Sequence, residues 1–188
     1  MTHIGKRLAA LLVLCALVLC GCGRQEQEEP LPKLVIGSDN YEPYFYLDEG
    51  GSFAGIDVEI ATEACRRMGY EPEFQKIAWQ FKDILLEQGT VDCLWGCFSM
   101  TGREDRYQWA GPYMYSRQVM VVRSDSDIYR LSDLNGKRIA VQNGSRPEEL
   151  LLNHQVDGVE QVQNVYSFVS MDEVFAALNK GYVDAGAG

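Results

Sequence analysis

The cysteines are the residues of this sequence whose spacing could support metal or redox chemistry. Six are present, and Cys93 and Cys97 stand four positions apart, a separation at which a metal site or a disulfide has to be considered. The segment around them is predicted to be a strand, however, in which four residues span roughly 13 Å, whereas a disulfide needs Cα atoms within about 7 Å. Neither histidine, His3 or His154, lies nearby in the sequence. We therefore expect Cys65, Cys93 and Cys97 to be buried free thiols, with no metal and no cofactor.

The first 22 residues have the organisation of a secretion signal with a membrane anchor. Lys6 and Arg7 precede an apolar run of twelve residues, which is too short for a helix that spans a bilayer, since that needs about 20. The sequence Leu-Cys-Gly-Cys at 19–22 resembles a bacterial lipobox, and a polar, acidic tether over 23–32 follows it. We expect Cys22 to be acylated and to tether the protein to the membrane. An ordinary signal peptide with a chance cysteine is the alternative.

Charge and motif content exclude several classes of function. The formal net charge is −10, and removal of the two basic residues in the signal leaves 15 of the 17 basic residues against 27 acidic ones, about −12. Nucleic-acid binding is excluded because phosphate contacts need an excess of lysine and arginine. The balance suits a soluble extracytoplasmic domain. The sequence has no Gly-x-Ser-x-Gly, no metal-ligand cluster and no P-loop, so we expect a protein that is not an enzyme.

Strands alternate with helices beyond the tether, which predicts an α/β fold with a mostly parallel sheet. The predicted strands are 34–37, 71–77, 91–99, 118–123, 138–142, 162–165 and 183–187, and the predicted helices are 57–68, 81–87, 147–154 and 171–179. Asp57 is expected to cap the first helix and Gly69 to end it. Two halves of similar style follow one another, and ligands bind such sheets at the carboxyl ends of the strands. Two edges of this kind that face each other would form a cleft.

Eight short blocks, in order over about 150 residues, resemble the family 3 extracellular solute-binding proteins, which bind polar amino acids for ABC importers. They are Asp39-Asn40-Tyr41-Glu42-Pro43-Tyr44, Gly55-Ile56-Asp57-Val58-Glu59, Gly89-Thr90-Val91-Asp92, Ser99-Met100-Thr101-Gly102-Arg103, Trp109-Ala110-Gly111-Pro112-Tyr113, Leu131-Ser132-Asp133-Leu134-Asn135-Gly136-Lys137-Arg138, Gly144-Ser145 and Gly181-Tyr182-Val183-Asp184-Ala185.

This resemblance implies a two-lobed periplasmic-binding-protein-like fold of type II. Residues 33–117 would form the N-terminal part of lobe 1, and residues 118–188 an incomplete lobe 2. The implied protein is a monomer, anchored by lipid at the extracytoplasmic face of the bacterial cell membrane. It captures a small ligand such as an amino acid and delivers it to an ABC permease in the membrane.

The resemblance also implies which residues bind the ligand carboxylate. The family places an arginine just after the central strand, and Arg103 is its counterpart here. Thr101 and Arg103 are one residue closer together than the family pattern, so Arg106 is the rival. Ser99 and Thr101 would offer hydroxyls and backbone groups to the ligand. A planar guanidinium suits the task because it grips a carboxylate with two parallel hydrogen bonds.

Five further positions complete the implied site. Tyr41 and Trp79 match family positions where aromatic rings stack on the ligand side chain, although core packing is the alternative for both. Asp39 could pair with an amide or a cation of the ligand. Gly144 and Ser145 begin a predicted helix, where backbone N–H groups favour an anion, and Ser145 could equally be a plain N-cap.

The resemblance carries two expectations about the end of the sequence. The family's acidic anchor for the ligand ammonium would lie beyond Gly188, and the fold is expected to be truncated there, so that this stretch alone would not bind tightly. A solute-sensing domain of a larger cell-wall-cleaving enzyme or signalling receptor is the alternative to a transport protein.

Overall fold

Two β-sheets of three and four strands, each in contact with helices, and a two-stranded hairpin organise residues 32–188. The computed structural model describes residues 29–188. The predicted signal segment 1–22, with the lipidation site Cys22, and the tether residues 23–28 lie outside the described residues. None of the helices in the described part has the length and apolarity needed to cross a membrane.

The first sheet contains three parallel strands in the order β4-β1-β5, and a separate two-stranded hairpin accompanies it. Its elements are β1 (Lys33–Ser38), β2 (Tyr46–Leu47), β3 (Phe53–Ala54), α1 (Ile56–Met68), β4 (Glu71–Lys76), a 3-10 turn (Trp79–Phe81), α2 (Lys82–Glu87) and β5 (Cys93–Leu94). Ile36 of β1 packs with Ala61 and Cys65 of α1, and all three are fully buried. The apolar stripe of α1 therefore covers the sheet, as its spacing predicts.

Asp57 does not cap α1, so that prediction is wrong. Gly55 is the N-cap residue and no side chain caps the helix. Asp57 is buried instead, and its Oδ1 accepts a hydrogen bond of 2.8 Å from the Tyr113 hydroxyl. A carboxylate turned inward to a tyrosine cannot also reach the free N–H groups at the helix start. Gly69 ends the helix in the left-handed conformation, as predicted.

The predicted strand over 91–99 is reduced to Cys93–Leu94. Its neighbour β1 ends at Ser38, and the residue pairing stops where Gly37 meets Leu94; the Trp95 N–H, which donates to the Gly37 carbonyl over 3.1 Å, makes the last backbone hydrogen bond to β1 among the described residues. The three cysteines in the described part of the chain are free thiols, as predicted, but of these only Cys65 is a buried residue. Cys93 is half-buried and Cys97 is exposed, because Cys97 lies beyond the paired part of the strand.

The second sheet has the strand order β6-β9-β7-β8, and only the β6–β9 pair is antiparallel. Its elements are β6 (Met120–Val122), a 3-10 turn (Leu131–Leu134), β7 (Arg138–Gln142), α3 (Arg146–Leu152), β8 (Asn164–Phe168), α4 (Met171–Asn179) and β9 (Ala185–Ala187). Ile139 and Val141 are buried on one face of β7, and Ala140 is buried against Val174 of α4 on the other. Helices on both faces explain why β7 reads as an uninterrupted apolar run.

The carboxyl ends of the parallel strands in the two sheets face each other. Asp39 directly follows β1, Gln142 ends β7, and the Gln142 Nε2 donates to Asp39 Oδ2 over 2.6 Å. Residues 95–119 join the two sheets without a helix or strand. The lobe boundary at 117/118 stays a prediction. We call the first sheet with its helices the first lobe, together with the linking residues 95–113, in which Phe98, Tyr107 and Tyr113 contact Trp79, Asp83 and Asp57. The second sheet with its helices is the second lobe.

Candidate functional site

A cavity of about 230 Å³ lies where the two sets of strand ends meet, and residues of both lobes line it. Six of the eight residues that the sequence nominates are among its lining: Asp39, Tyr41, Trp79, Ser99, Arg103 and Ser145. Thr101 and Gly144 are not. The volume is below the roughly 300–1,000 Å³ of sites for drug-sized ligands, so the space suits one small solute.

Arg103 is the most enclosed charged group of the cavity wall, with a side chain that is only 4% exposed. Its Cζ lies 5.2 Å from the centre of the Phe98 ring. Its backbone carbonyl accepts a hydrogen bond of 3.1 Å from Trp109 Nε1. These contacts hold the backbone and one face of the guanidinium before any ligand arrives, which lowers the entropy lost on binding.

Arg106, the rival of Arg103, lies outside the cavity lining. Its side chain is 52% exposed and its Nη2 stands 3.7 Å from Asp83 Oδ2. The geometry therefore favours Arg103 as the carboxylate-binding residue. That role stays a prediction.

The aromatic residues of the wall are held by other rings. Trp79 is buried and meets Phe98 edge to face, with ring centres 5.1 Å apart at 89°. Tyr41 stacks on Tyr44 at 5.9 Å and 21°. Part of the Trp79 side chain is therefore packed in the core, as the alternative for this residue has it, and the remaining part lines the cavity. Rings held in this way offer a rigid apolar surface to a ligand at little cost in side-chain entropy.

Asp39 is the one acidic residue among the lining residues in the described part of the chain. Burial raises the pKa of its carboxyl, while the hydrogen bond from Gln142 and the charges of Lys76 and Lys82 act in the opposite direction. Since burial disfavours the ionised form, a cationic group of a ligand would stabilise the carboxylate and gain from the low local polarity. Asp39 thus has the surroundings that a cation-binding carboxylate needs.

Gly144 lies at a close contact between the two lobes. Its φ is +74°, and an added Cβ would lie 3.1 Å from Lys82 Nζ and 3.3 Å from Gln80 Cα. The Lys82 Nζ donates to the Gly144 carbonyl over 3.1 Å. Glycine is needed here because the backbone of the second lobe approaches the first so closely. Thr101, the other nominated residue outside the lining, is exposed in a turn.

Ser145 is the N-cap of α3, and its side chain accepts from the Glu148 backbone N–H. The N-cap alternative is therefore confirmed, while the residue also lines the cavity. Any contact of Ser145 with a ligand stays a prediction.

Several residues in the cavity wall or beside it were missed by the sequence reasoning. Gln142, Arg146 and Met171 line the cavity from the second lobe, and Lys82 is a buried lysine, 5.2 Å from the Trp79 ring centre. Burial lowers the pKa of Lys82, against the opposing charge of Asp83. Gln142 could have been found, because it ends a strand whose carboxyl end the α/β pattern assigns to the ligand side. The other three carry no signal in their local sequence.

Metal binding has no support in the described part of the chain. No group of three or more histidine, cysteine, aspartate or glutamate residues within 29–188 could hold a metal ion.

Comparisons with known proteins address the family. The model of the bacterial extracellular solute-binding proteins, family 3, matches residues 34–184. The L-cystine-binding protein TcyA of Bacillus subtilis (strain 168) is 29% identical over 93% of this chain and 73% of its own length. The arginine-binding extracellular protein ArtP of the same organism is 33% identical over 76% of this chain and 56% of its own length.

Solved structures show the same fold. Tv2483 bound to L-arginine matches with a TM-score of 0.77 and 32% identity over 83% of this chain and 64% of that one. The holo form of ArgBP from T. maritima matches with a TM-score of 0.71 and 29% identity over 83% and 68%. This chain thus spans 56–73% of the length of the two curated relatives and 64–68% of the two solved ones. It belongs to the bacterial extracellular solute-binding proteins, family 3, and has their two-lobed fold of the type II periplasmic binding proteins.

Proposed function

We propose that this protein is the extracytoplasmic substrate-binding lipoprotein of an ABC importer, which captures an amino acid or similar small polar solute between its lobes and delivers it to a membrane permease. The observation that supports this most strongly is Arg103, whose nearly buried guanidinium lines a cavity of about 230 Å³. A guanidinium held in a small, enclosed site binds a carboxylate more strongly than one in water, because the local dielectric is lower.

The other groups of the wall suit the remaining parts of an amino acid. Asp39 is a partner for an ammonium or another cationic group, with a carboxylate that burial leaves poorly solvated. Trp79 and Tyr41 supply aromatic surface for a side chain. Ser99 offers a hydroxyl. One carboxylate-binding group, one cation-binding group and an apolar surface together match a zwitterion with a side chain.

The relatives support this class of solute without choosing one member of it. TcyA is named for L-cystine and ArtP for arginine, and the similar structure of Tv2483 was solved with bound L-arginine. The two solutes share the α-carboxylate and the α-ammonium. We therefore propose an amino-acid ligand, with Arg103 bound to the α-carboxylate.

The proposed attachment to the membrane rests on the N-terminal sequence. Cys22 carries the lipid, the residues behind it form the tether, and the globular part acts as a monomer that docks on the permease. The protein carries out no reaction, and its relatives here are named as binding proteins. An intact mass of the mature protein that includes the acyl chains at Cys22 is the expected result. An unmodified Cys22 in the mature protein would contradict the lipid anchor.

A thermal-shift screen of the standard amino acids and cystine on the whole natural protein tests the proposed function. Binding stabilises the folded state by RT ln(1 + [L]/Kd), so a ligand at a hundred times its Kd adds about 2.7 kcal/mol. We expect a large shift with one amino acid or one chemical group of them. The absence of a shift with any amino acid would contradict the proposal.

A further inference from the structure

Three charged side chains form a cluster that bridges the two lobes beside the cavity. Glu149 on α3 accepts from Arg103 Nε over 3.3 Å and from Arg103 Nη2 over 3.2 Å, both on its Oε2. Its other oxygen, Oε1, lies 3.0 Å from Arg146 Nη1. One carboxylate of the second lobe is therefore shared by the carboxylate-binding candidate of the first lobe and by an arginine of its own helix.

The arrangement leaves part of the Arg103 guanidinium for a ligand. Both bonds to Glu149 use the edge formed by Nε and Nη2, and Nη1 makes no hydrogen bond to any described residue. A guanidinium carries five N–H groups in a fixed plane, so two carboxylates can bind to different edges of one group. Since Arg103 also lines the cavity, Glu149 and a ligand can share it.

Glu149 also decides how the guanidinium is oriented. Within the described residues it is the only carboxylate in ion-pair distance of Arg103. The first lobe contributes the Phe98 ring and a backbone bond to Arg103, and neither of these fixes rotation within the plane of the guanidinium. The second lobe therefore sets the edge that Arg103 shows to the cavity.

The loop before Arg103 fits this contact. Gly102 has a φ of +74°, and an added Cβ would lie 2.3 Å from Arg146 Nη2. The guanidinium of Arg146 thus packs against the Gly102 backbone of the first-lobe loop, in the space that a side chain at position 102 would occupy. Arg146 itself is only 16% exposed at its side chain. The cluster of Arg103, Glu149 and Arg146 is therefore packed against both lobes.

We propose that Glu149 is a positioning residue that draws the two lobes together through Arg103 and turns the remaining N–H edge of Arg103 toward the ligand carboxylate. The statement about the ligand rests on the proposed function, whereas the statement about the lobes does not. Loss of the Glu149 charge removes an attraction that exists only while the lobes are together. It therefore favours the open form and the release of a bound ligand.

The test compares Glu149→Gln with Glu63→Gln in the whole natural protein. Glu63 is a matched control, because its carboxylate also binds two arginines, Arg66 and Arg67, but within the single helix α1. Small-angle scattering without ligand measures the separation of the lobes, and stopped-flow displacement measures the dissociation rate of the amino acid found in the screen.

We expect Glu149→Gln to increase the radius of gyration of the ligand-free protein and to speed dissociation about tenfold, the usual direction when one partner of an enclosed charge pair is lost. Glu63→Gln should change neither. Unchanged scattering and an unchanged dissociation rate in Glu149→Gln would overturn the proposal. Slower dissociation would overturn it too, since it would mean that Glu149 competes with the ligand.

Two arms keep the test decisive. If no amino acid binds to the unmodified protein, the proposed function fails, while the scattering arm still judges the bridge between the lobes. If Glu149→Gln does not fold, Glu149→Asp keeps the charge on a shorter side chain. It should then show a smaller change of the same sign in both measurements, and values equal to those of the unmodified protein would overturn the proposal.

Discussion

The two walls of the cavity differ in what they contribute. The first lobe supplies the groups that suit an amino acid, namely Arg103, Asp39 and the aromatic rings. The second lobe supplies the groups that hold them: Gln142 donates to Asp39, and Glu149 accepts from Arg103. The first wall thus carries the side chains that suit the ligand, and the second wall carries the side chains that hold them in position. A change in the first wall should alter binding, and at the buried carboxylate Asp39 also stability, whereas a change in the second should alter stability or closure.

The largest effect is expected from Arg103→Ala. Removal of one partner of a desolvated charge pair costs about 2–5 kcal/mol, so the affinity for an amino acid should fall at least about thirtyfold. Isothermal titration calorimetry measures it. Arg106→Ala is the control, because Arg106 lies outside the cavity and is half exposed. Loss of affinity in Arg106→Ala with none in Arg103→Ala would show that Arg106, and not Arg103, is the counterpart of the family's carboxylate-binding arginine.

A smaller effect, on stability, is expected from Gln142→Leu in the second wall. Gln142 is 6% exposed, and its Nε2 is the partner of the Asp39 carboxylate. A buried acceptor that loses its donor costs about 1–3 kcal/mol, so the unfolding midpoint in urea should fall at an unchanged m-value. An unchanged midpoint would mean that the second wall does not support the first at this position.

The smallest effect is expected from Asp39→Asn, and it has the opposite sign. Burial raises the pKa of Asp39 above its unfolded value, so the native protein loses stability as the pH rises from the ordinary carboxyl pKa through the raised one. The amide keeps an acceptor for Gln142 and carries no charge. The melting temperature of the ligand-free variant at pH 7 should therefore rise.

Two further measurements sharpen the Asp39 prediction. The gain should vanish when the pH is lowered below the unfolded carboxyl pKa, since both states then carry the proton. Binding of the amino acid found in the screen should also weaken in Asp39→Asn, because Asp39 is the proposed partner of its cationic group. A variant less stable than the unmodified protein at pH 7 would show that the ionised carboxylate makes a favourable contact in the native state.

The difference between the walls also explains what the sequence could predict. Strands such as 138–142 and helices such as 171–179 are recovered to the residue, because their apolar spacing and their caps are local. Asp39 and Arg103 follow strand ends inside recognisable blocks, so both could be nominated from sequence alone, whereas Trp79 was nominated as a matching family position outside those blocks. The blocks fix the order of strands and loops along the chain, and the α/β pattern places the carboxyl ends of the parallel strands at one edge of each sheet.

The second wall is less predictable, because its contacts depend on how two sheets face each other. Arg146 and Glu149 read as an ordinary charged helix start, and nothing local shows that Glu149 reaches Arg103 or that Arg146 reaches the Gly102 backbone. Lys82 is a residue type that is almost never buried, yet it is 4% exposed because the Gly144 backbone covers it. The strand over 91–99 was predicted too long for the same reason, since the length of its partner strand is not a local property.

The most direct test of the central claim is a comparison of the best-binding amino acid with its α-carboxamide by calorimetry, in the unmodified protein and in Arg103→Ala. If Arg103 holds the carboxylate, the amide should bind at least about thirtyfold more weakly to the unmodified protein. The two ligands should then bind with nearly equal affinity to Arg103→Ala. If the loss of affinity from amino acid to amide is as large in Arg103→Ala as in the unmodified protein, the account is contradicted, because the carboxylate would then be held by another residue.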